Sequence, residues 1–514
     1  MNIWMVAREY AGIAEAGGVK QVACSLSEEL CRQNNDVTLF IPFYGCTSLS
    51  SIANFSENKE KKITINFCGN KEEIYYSSGI CNGVKIIFVQ HKCFSEKQNV
   101  YTYTVKEQDV SKGFFCGNGY KDALFMDNIF QKAVVEYHKL YKVESPSIVH
   151  CHDACSSVLP ALIKYNDDDF FKNTKCLVTI HNAGPGYHHE FSDIQQARYY
   201  TNLPEDFLRT SLNGSRVEPY LLAHHSNACL TTVSPFYAQE ISDIKNQNTD
   251  GLSEIFSKQN IPIVGITNGI DIQRYTPEDK SISLLPFAFS PSTLQLEGKK
   301  KCLEYLLLAM DDEDISKDVI QNGFLENGGQ VYIAFHARIV QQKGVIVLMD
   351  AIRIILKTIP DARFMVLGQG DTSLENQLVK MADEFPGKVV FFKGYDKALS
   401  RLVIASADFA IMPSSFEPCG LEDFIAQIFG TIPIAHATGG LKKIINNQTG
   451  YLYEPNTPEK LSELLIKVIT NKKNKPESLL EMIEKASLYV KETYSWQIVV
   501  KKQYIPLYNR LITA

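Results

Sequence analysis

The sequence predicts an α/β protein made of two Rossmann-like domains facing each other across a cleft. Three observations predict it. Short apolar runs alternate with segments of helical period in two separate stretches, one at the start of the chain and one from residue 331 onward. Glycine pairs and lone charged residues stand at the turns after the apolar runs, where parallel, doubly wound sheets keep their ligand sites. The 514 residues are too many for one ordinary core, so two domains of about 200–250 residues follow.

The N-terminal series opens with an apolar strand over residues 3–7. A small-residue loop leads to Gly17-Gly18, after which Val19, Val22, Ala23, Leu26 and Leu30 recur at helical spacing. Asp36 leads into a strand over 37–41 that stops at Pro42. Strand, helix and strand in this order form a βαβ unit, which implies a parallel sheet. Residues 47–119 are polar with β-prone runs such as 84–89, and their pairing is left open. Two further apolar runs end on polar groups, one at His150-Cys151-His152-Asp153 and one at His181-Asn182. In the second half, strands are expected at 331–335, 364–367, 389–392, 409–412 and 432–435, with helices at 345–359 and 421–429. Residues 268–328, with Pro277, Pro286 and Pro291, hold the expected crossover.

Composition removes several classes. Lys and Arg number 52 against 58 Asp and Glu, a net charge of −6, so no bulk positive charge exists to drive nucleic-acid binding. No run reaches the ~18 apolar residues of a membrane span. The N-terminus starts at once on an apolar strand without the layout of a signal peptide, so a cytoplasmic setting is expected. Thirteen cysteines at irregular spacing fit reduced thiols better than a disulfide framework. The His150–Asp153 run and Cys155 offer potential metal ligands. On a strand, however, His150 and His152 face one way and Cys151 the other, so no metal centre is expected. Lys299-Lys300-Lys301 and Lys472-Lys473 read as solvated helix faces.

Four strand-end constellations bear chemistry. Gly17-Gly18 allow close approach to the backbone at a helix N-terminus, which favours an anion; a structural tight turn explains them equally. Asp153, His181 and Asn182 end parallel strands, where sites lie, although Asp153 also suits a helix cap. Arg338 and Lys343 lie five residues apart beside a helix start and form a plausible diphosphate clamp. Glu417-Pro418-Cys419-Gly420-Leu421 follows a buried strand and precedes a helix. There Glu417 either complements the helix dipole or serves a ligand, and the turn offers backbone N–H groups to a phosphate or a sugar hydroxyl. Cys419 lacks a neighbouring base and reads as a small buried filler.

Taken together, these residues resemble the glycogen and starch synthases of bacteria and plastids. The resemblance runs from Glu9-Tyr10 to Tyr494-Ser495-Trp496. It rests on Ala16-Gly17-Gly18-Val19, His150-Cys151-His152-Asp153, Thr179-Ile180-His181-Asn182, Thr232-Val233-Ser234-Pro235-Phe236-Tyr237-Ala238-Gln239-Glu240-Ile241, Thr267-Asn268-Gly269-Ile270-Asp271, Ala337-Arg338 with Gln342-Lys343-Gly344, Leu367-Gly368-Gln369-Gly370-Asp371, Phe416-Glu417-Pro418-Cys419-Gly420-Leu421 and Thr438-Gly439-Gly440-Leu441, in the family's order.

The resemblance implies a GT-B fold. Residues 1–267 would form the acceptor-side domain, 268–495 the nucleotide-sugar domain, and 496–514 a helix returning to the first. It implies transfer of glucose from ADP-glucose, or UDP-glucose, to the non-reducing end of an α-1,4-glucan with retention and no cofactor. Arg338 and Lys343 would hold the donor diphosphate, and Glu417 the glucose hydroxyls. His181, Asn182, Asp153 and Asn268 would line the sugar side, and Gly394-Tyr395 would pack on the base. Gly17, Gly18, Cys419, Gly420 and Leu421 would contribute to donor binding.

Two positions depart from the family pattern. Glu15 stands where a lysine is usual, and Glu422 stands where a threonine follows the Glu417–Leu421 motif. A carboxylate ~4 Å from a phosphate oxygen costs about 4 kcal/mol at an effective dielectric near 20. Each must therefore point away, pair with a cation or meet a different donor arrangement, and Lys20 is the expected replacement charge. Two other functions stay open: a GT-B enzyme with a smaller sugar acceptor, and a glucan-binding protein that has lost catalysis.

Overall fold

The computed structural model describes residues 1–110, 114–311 and 316–514. The chain forms two compact units. One contains Met1–Asn268 with Trp496–Ala514, the other Gly269–Ser495.

The first unit is built on a nine-stranded sheet. Its strands are β1 (Asn2–Val6), β2 (Asp36–Pro42), β3 (Ala53–Phe67), β4 (Asn70–Cys81), β5 (Val84–Gln90), β6 (Ile148–His152) and β7 (Lys175–Ile180). A small two-stranded ribbon follows, β8 (Leu212–Asn213) and β9 (Arg216–Val217), and then β10 (Cys229–Thr232) and β11 (Ile263–Gly265) complete the main sheet. The order is β11-β10-β7-β6-β1-β2-β5-β4-β3. Pairing is parallel from β11 to β5 and antiparallel at β5–β4 and β4–β3. The polar stretch whose pairing was left open is thus the long β3–β4 hairpin. The C-terminal helix Ile505–Thr513 packs on this unit through Tyr508, which is fully buried and hydrogen-bonds His150.

The second unit carries a seven-stranded sheet. Its strands are β12 (Val319–Gly323), β13 (Val331–His336), β14 (Ala362–Gly368), β15 (Val389–Gly394), β16 (Phe409–Met412), β17 (Ile432–His436) and β18 (Tyr451–Tyr453). The order is β12-β15-β14-β13-β16-β17-β18, with only β12 antiparallel to its neighbour. Alternate residues feed two cores. Ile333, Phe335, Phe364 and Val366 pack on one face, and Tyr332, Ala334, Met365 and Leu367 on the other. Both faces are covered, which is why these strands read as unbroken apolar runs.

One expectation fails here. Lys299 is not solvated. Its ammonium donates to the carbonyls of Ala405 (2.7 Å) and Ala407 (2.8 Å) and to Thr431 Oγ1 (2.8 Å). The helix Lys397–Ser406 ends beside it, and the carbonyls at its C-terminal end attract the cation.

In each sheet the strand order reverses once around the first strand of the parallel series. In the first unit this happens at β6-β1-β2 and in the second at β14-β13-β16. The crevice beyond the carboxyl ends of the strands at such a switch point is where doubly wound folds bind ligands.

Candidate active site

In the second unit the loops after β13 and β16 lie side by side at the switch point. Gly344 has φ +71°, and a β-carbon there would come 1.9 Å from the Pro413 carbonyl, so only glycine lets the two loops touch. The Ser415 amide donates to the Gln342 carbonyl (2.9 Å), and the Gln342 side chain donates to the Phe416 carbonyl (3.0 Å).

This seam brings together residues far apart in sequence. A pocket of about 210 Å³ is lined by His336, Arg338, Lys343, Ser414, Glu417, Gly420, Leu421, Glu422 and Asp423, among others. Lys343 Nζ lies 2.5 Å from Glu417 Oε2, and Ser414 Oγ donates to the same oxygen at 3.2 Å. The Gly440 amide donates to the Glu417 carbonyl at 2.8 Å. Arg338 is exposed and lines the same pocket. Gly394 ends β15, and the next residue, Tyr395, is 56% exposed with its ring 6.4 Å from the His336 ring and nearly parallel to it. An exposed aromatic plane beside the pocket suits stacking on a planar group.

Glu422 pairs with His336, its Oε2 3.0 Å from Nδ1. Burial works against the His336 cation, but the charge and hydrogen bond of Glu422 outweigh it and hold His336 above its ordinary value. Burial also works against the Glu422 carboxylate, and His336 and Lys343 outweigh it in turn. Beneath the turn, buried Lys443 donates to the Cys419 carbonyl (2.6 Å), the Gly420 carbonyl (3.0 Å) and Asp423 Oδ1 (2.8 Å). Burial pushes Asp423 up to about 6 despite Lys443. The ammonium thus fixes the carbonyls of the turn from inside. Leu421 caps the helix Glu422–Ile428.

In the first unit the loop after β1 holds Gly17 and Gly18. The Ala16 amide (3.0 Å) and the Gly17 amide (2.6 Å) both donate to Glu9 Oε2. Glu9 is fully buried, and Tyr101 donates to its other oxygen at 3.3 Å. This corrects the expectation for Gly17: its amide already serves an anion, one supplied by the chain. A β-carbon on Gly17 would meet Glu9 Oε1 at 2.9 Å, which explains the glycine structurally. Gly18 differs. A β-carbon there would meet nothing within 4 Å, so this backbone is open to close approach. Glu15 accepts from the Gly12 amide and pairs with Lys20 Nζ at 3.0 Å. Both unusual carboxylates, Glu15 and Glu422, therefore carry a cationic or basic partner.

The other motifs of this unit end β6 and β7. His150 and His152 share a face of β6, with rings stacked 4.5 Å apart. His150 is taken up by Tyr508 and Thr179, and His152 by His181 and Met5. Among the described residues, no group of three or more His, Cys, Asp and Glu is placed to hold a metal ion. Asp153 follows β6 at φ +61° and ψ 173°, a conformation that costs of order 1–3 kcal/mol and clusters at functional sites. Its Oδ1 accepts from the His181 amide (2.7 Å), joining the two strand ends, and burial pushes its carboxyl up to about 7. Asn182 accepts from the Gly184 amide (2.8 Å). Asn268 is buried, and its Oδ1 has no hydrogen-bond partner among the described residues.

Sequence reasoning missed His336, Lys443 and Tyr101, and saw Glu9 only as the start of a motif. None carries a local signal, because each acts through a partner distant in the chain.

Two Rossmann-like α/β units with polar strand ends gathered at both switch points define a glycosyltransferase of the GT-B class. The comparisons agree. The structure is similar to the catalytic domain of starch synthase IV from Arabidopsis thaliana, solved with ADP and acarbose, with a TM-score of 0.81 and 23% identity over 100% of this chain and 99% of that one. In sequence it is similar to glycogen synthases of Thermodesulfovibrio yellowstonii (28% identical, covering 100% of this chain and 98% of that protein) and Vibrio parahaemolyticus (27%, 99% and 98%). The family description "Starch synthase catalytic domain" matches residues 2–258, and "Glycosyl transferases group 1" matches 316–488. The chain belongs to the starch synthase catalytic-domain family, hexosyltransferases of the glycogen and starch synthase type.

Proposed function

We propose that this enzyme transfers glucose from ADP-glucose to the non-reducing end of an α-1,4-glucan with retention of configuration. Unit Gly269–Ser495 would act as the donor side and unit Met1–Asn268 as the acceptor side. One observation carries the reading: Arg338, Lys343 and Glu417 converge in one pocket at the switch point of the second sheet. Two cations, a carboxylate and the Ser414 hydroxyl in one pocket suit a diphosphate joined to a sugar.

In this reading the bond from the glucose C1 to the diphosphate oxygen breaks as the acceptor hydroxyl oxygen bonds C1 on the same face. The hydroxyl proton passes to a phosphate oxygen. Negative charge grows on the leaving diphosphate, where Arg338 and Lys343 stabilise it. Glu417, held by Lys343 and Ser414, orients glucose hydroxyls. In the first unit Asp153, His181, Asn182 and Asn268 are the sugar-side residues of this reading and Gly18 and Lys20 its donor-side residues; in the second, Gly394-Tyr395 would lie along the base.

The test is to mix the pure protein with glycogen and equal ADP-glucose and UDP-glucose, following nucleotide release and chain growth. ADP release that requires glycogen and lengthens its chains is expected. Release with a small sugar alone would move the acceptor, preferential UDP release would move the donor, and no release from either donor would leave a glucan-binding protein.

A further inference from the structure

The proton positions on His152 and His181 follow from what each ring nitrogen faces. His152 Nε2 lies 3.1 Å from the Met5 sulfur. A thioether carries no proton and can only accept, so the hydrogen of this contact belongs to His152 Nε2. His152 is 1% exposed, and burial pushes its pKa down to about 3, so it holds one proton, not two. Its Nδ1 is therefore bare. That Nδ1 lies 2.9 Å from His181 Nε2, so His181 Nε2 must be the donor. Burial, helped by His152, also holds His181 well below its ordinary value, which leaves His181 Nδ1 without a proton.

The stacked neighbour His150 is consistent with this. Thr231 Oγ1 donates its one proton to the Val178 carbonyl at 3.3 Å, so it accepts from Thr179 Oγ1 at 2.7 Å. Thr179 then accepts from His150 Nε2 at 2.7 Å, and His150 Nδ1 accepts from the Tyr508 hydroxyl at 2.8 Å. His150 thus has no proton to spare for His152.

We propose that Met5 and His152 are positioning residues that lock His181 in the Nε2–H tautomer, so that its bare Nδ1 meets a ligand hydroxyl as an acceptor. The ligand part rests on the reading of His181 as a sugar-side residue. The backbone is fixed for this task, because the His181 amide donates to Asp153 Oδ1 at 2.7 Å. Among the described residues no group hydrogen-bonds His181 Nδ1. A bare imidazole nitrogen accepts a hydroxyl proton well and cannot serve as a general acid. His181 therefore selects a sugar that presents an O–H there and rejects a deoxy or O-methyl analogue, which lacks the proton.

The first test reads the tautomers in the free protein, without donor or acceptor. Histidine-labelled ¹⁵N spectra, assigned with His152→Asn and His181→Asn, are expected to show both rings neutral with the proton on Nε2 between about pH 6 and 8. A proton on Nδ1 of either ring, or a cation, would overturn the assignment. Met5→Leu removes the only acceptor assigned to His152 Nε2 and should release the preference; an unchanged pattern would remove Met5 from the proposal. The second test reads transfer. His152→Asn keeps an oxygen able to accept from His181 Nε2, and His152→Leu does not. A kcat loss of about tenfold or more in His152→Leu, largely rescued in His152→Asn, is expected. Equal losses in two folded variants would make the role merely structural. Full transfer by His181→Ala with the tautomers as assigned would overturn the sugar-side reading alone.

Discussion

His336 Nδ1 and Glu422 Oε2 lie 3.0 Å apart, joining the end of β13 to the start of a helix 86 residues later. Glu422 lines the pocket that holds Arg338 and Lys343. An uncompensated carboxylate there would repel a diphosphate. His336 supplies the compensation.

The pair should behave as a unit towards the donor. His336→Gln leaves Glu422 without this partner and should raise the donor KM by about tenfold, the equivalent of about 1.4 kcal/mol. Glu422→Thr should lower it. The double variant should lie closer to the parent than His336→Gln alone, because neighbouring groups are not additive. Independent effects in a complete cycle of donor KM values would contradict the coupling.

The same pair sets a pH window for stability. The His336 pKa is raised, so its contribution is complete below its ordinary 6.5 and is lost as pH rises through the raised value. The Glu422 pKa is lowered, so its contribution is complete above its ordinary 4.5 and is lost as pH falls through the lowered value. Partial exposure limits the pair to about 1 kcal/mol or less. The Tm advantage of the parent over His336→Gln should therefore shrink by a few degrees, roughly 2–4 °C, as pH is raised from about 6 to 9. A constant difference across that range would rule this out.

Lys20 and Glu15 make the corresponding pair in the first unit, at 3.0 Å and partly exposed. Lys20→Ala should cost stability by no more than about 1 kcal/mol. Its larger effect should be a higher donor KM, because Glu15 loses the Lys20 ammonium. Glu15→Lys should lower that KM. Unchanged donor kinetics in both variants would show that the pair lies outside the donor's reach.

How far the molecule was legible depends on where its information lies. β13 to β17 were readable because both faces are buried, which leaves apolar runs that the chain itself displays. The β3–β4 hairpin was not, because its polar side chains match cross-strand neighbours, such as Lys62 with Glu73 at 2.6 Å, that no local pattern announces. The convergence of Arg338, Lys343 and Glu417 on one pocket, and the bond between Asp153 and the His181 amide, were readable because parallel sheets bring polar strand ends together at the switch point. Glu9 was not, because its carboxylate works from beneath the glycine loop. Gly17 fitted a ligand's glycine and a structural turn equally, and its amide is taken by Glu9.

Lys443 and Asp423 are both buried, and they bond each other at 2.8 Å beneath the Cys419–Leu421 turn. Removing one member strands the other charge. Lys443→Met should destabilise the protein by about 3–5 kcal/mol, whereas a double variant with Asp423→Leu should recover much of that loss. Denaturant unfolding of the two variants separates the cases; equal losses would mean that the turn carbonyls, and not Asp423, set the cost.

Lys299 is the last case, and its sign runs opposite to that of an ion pair. Burial pulls its pKa from 10.5 down to about 7, while the charge of Asp408 pulls it up and Lys472 pulls it down again. The unfolded chain therefore binds more protons between those two values, and stability must rise with pH across that range. The slope is up to about 1.4 kcal/mol per pH unit. The carbonyls of Ala405 and Ala407 do not reverse this, because a neutral amine keeps two hydrogens for them and gives up the donation to Thr431 Oγ1. Lys299→Met removes the titration and takes the Lys299 hydrogens from those carbonyls, so it should be less stable than the parent throughout. Its deficit should widen as pH rises from about 7 to 9, the opposite of the trend for His336→Gln. Paired unfolding curves at the two pH values measure this directly, and a deficit that stays level would mean that the helix-end carbonyls hold Lys299 charged after all.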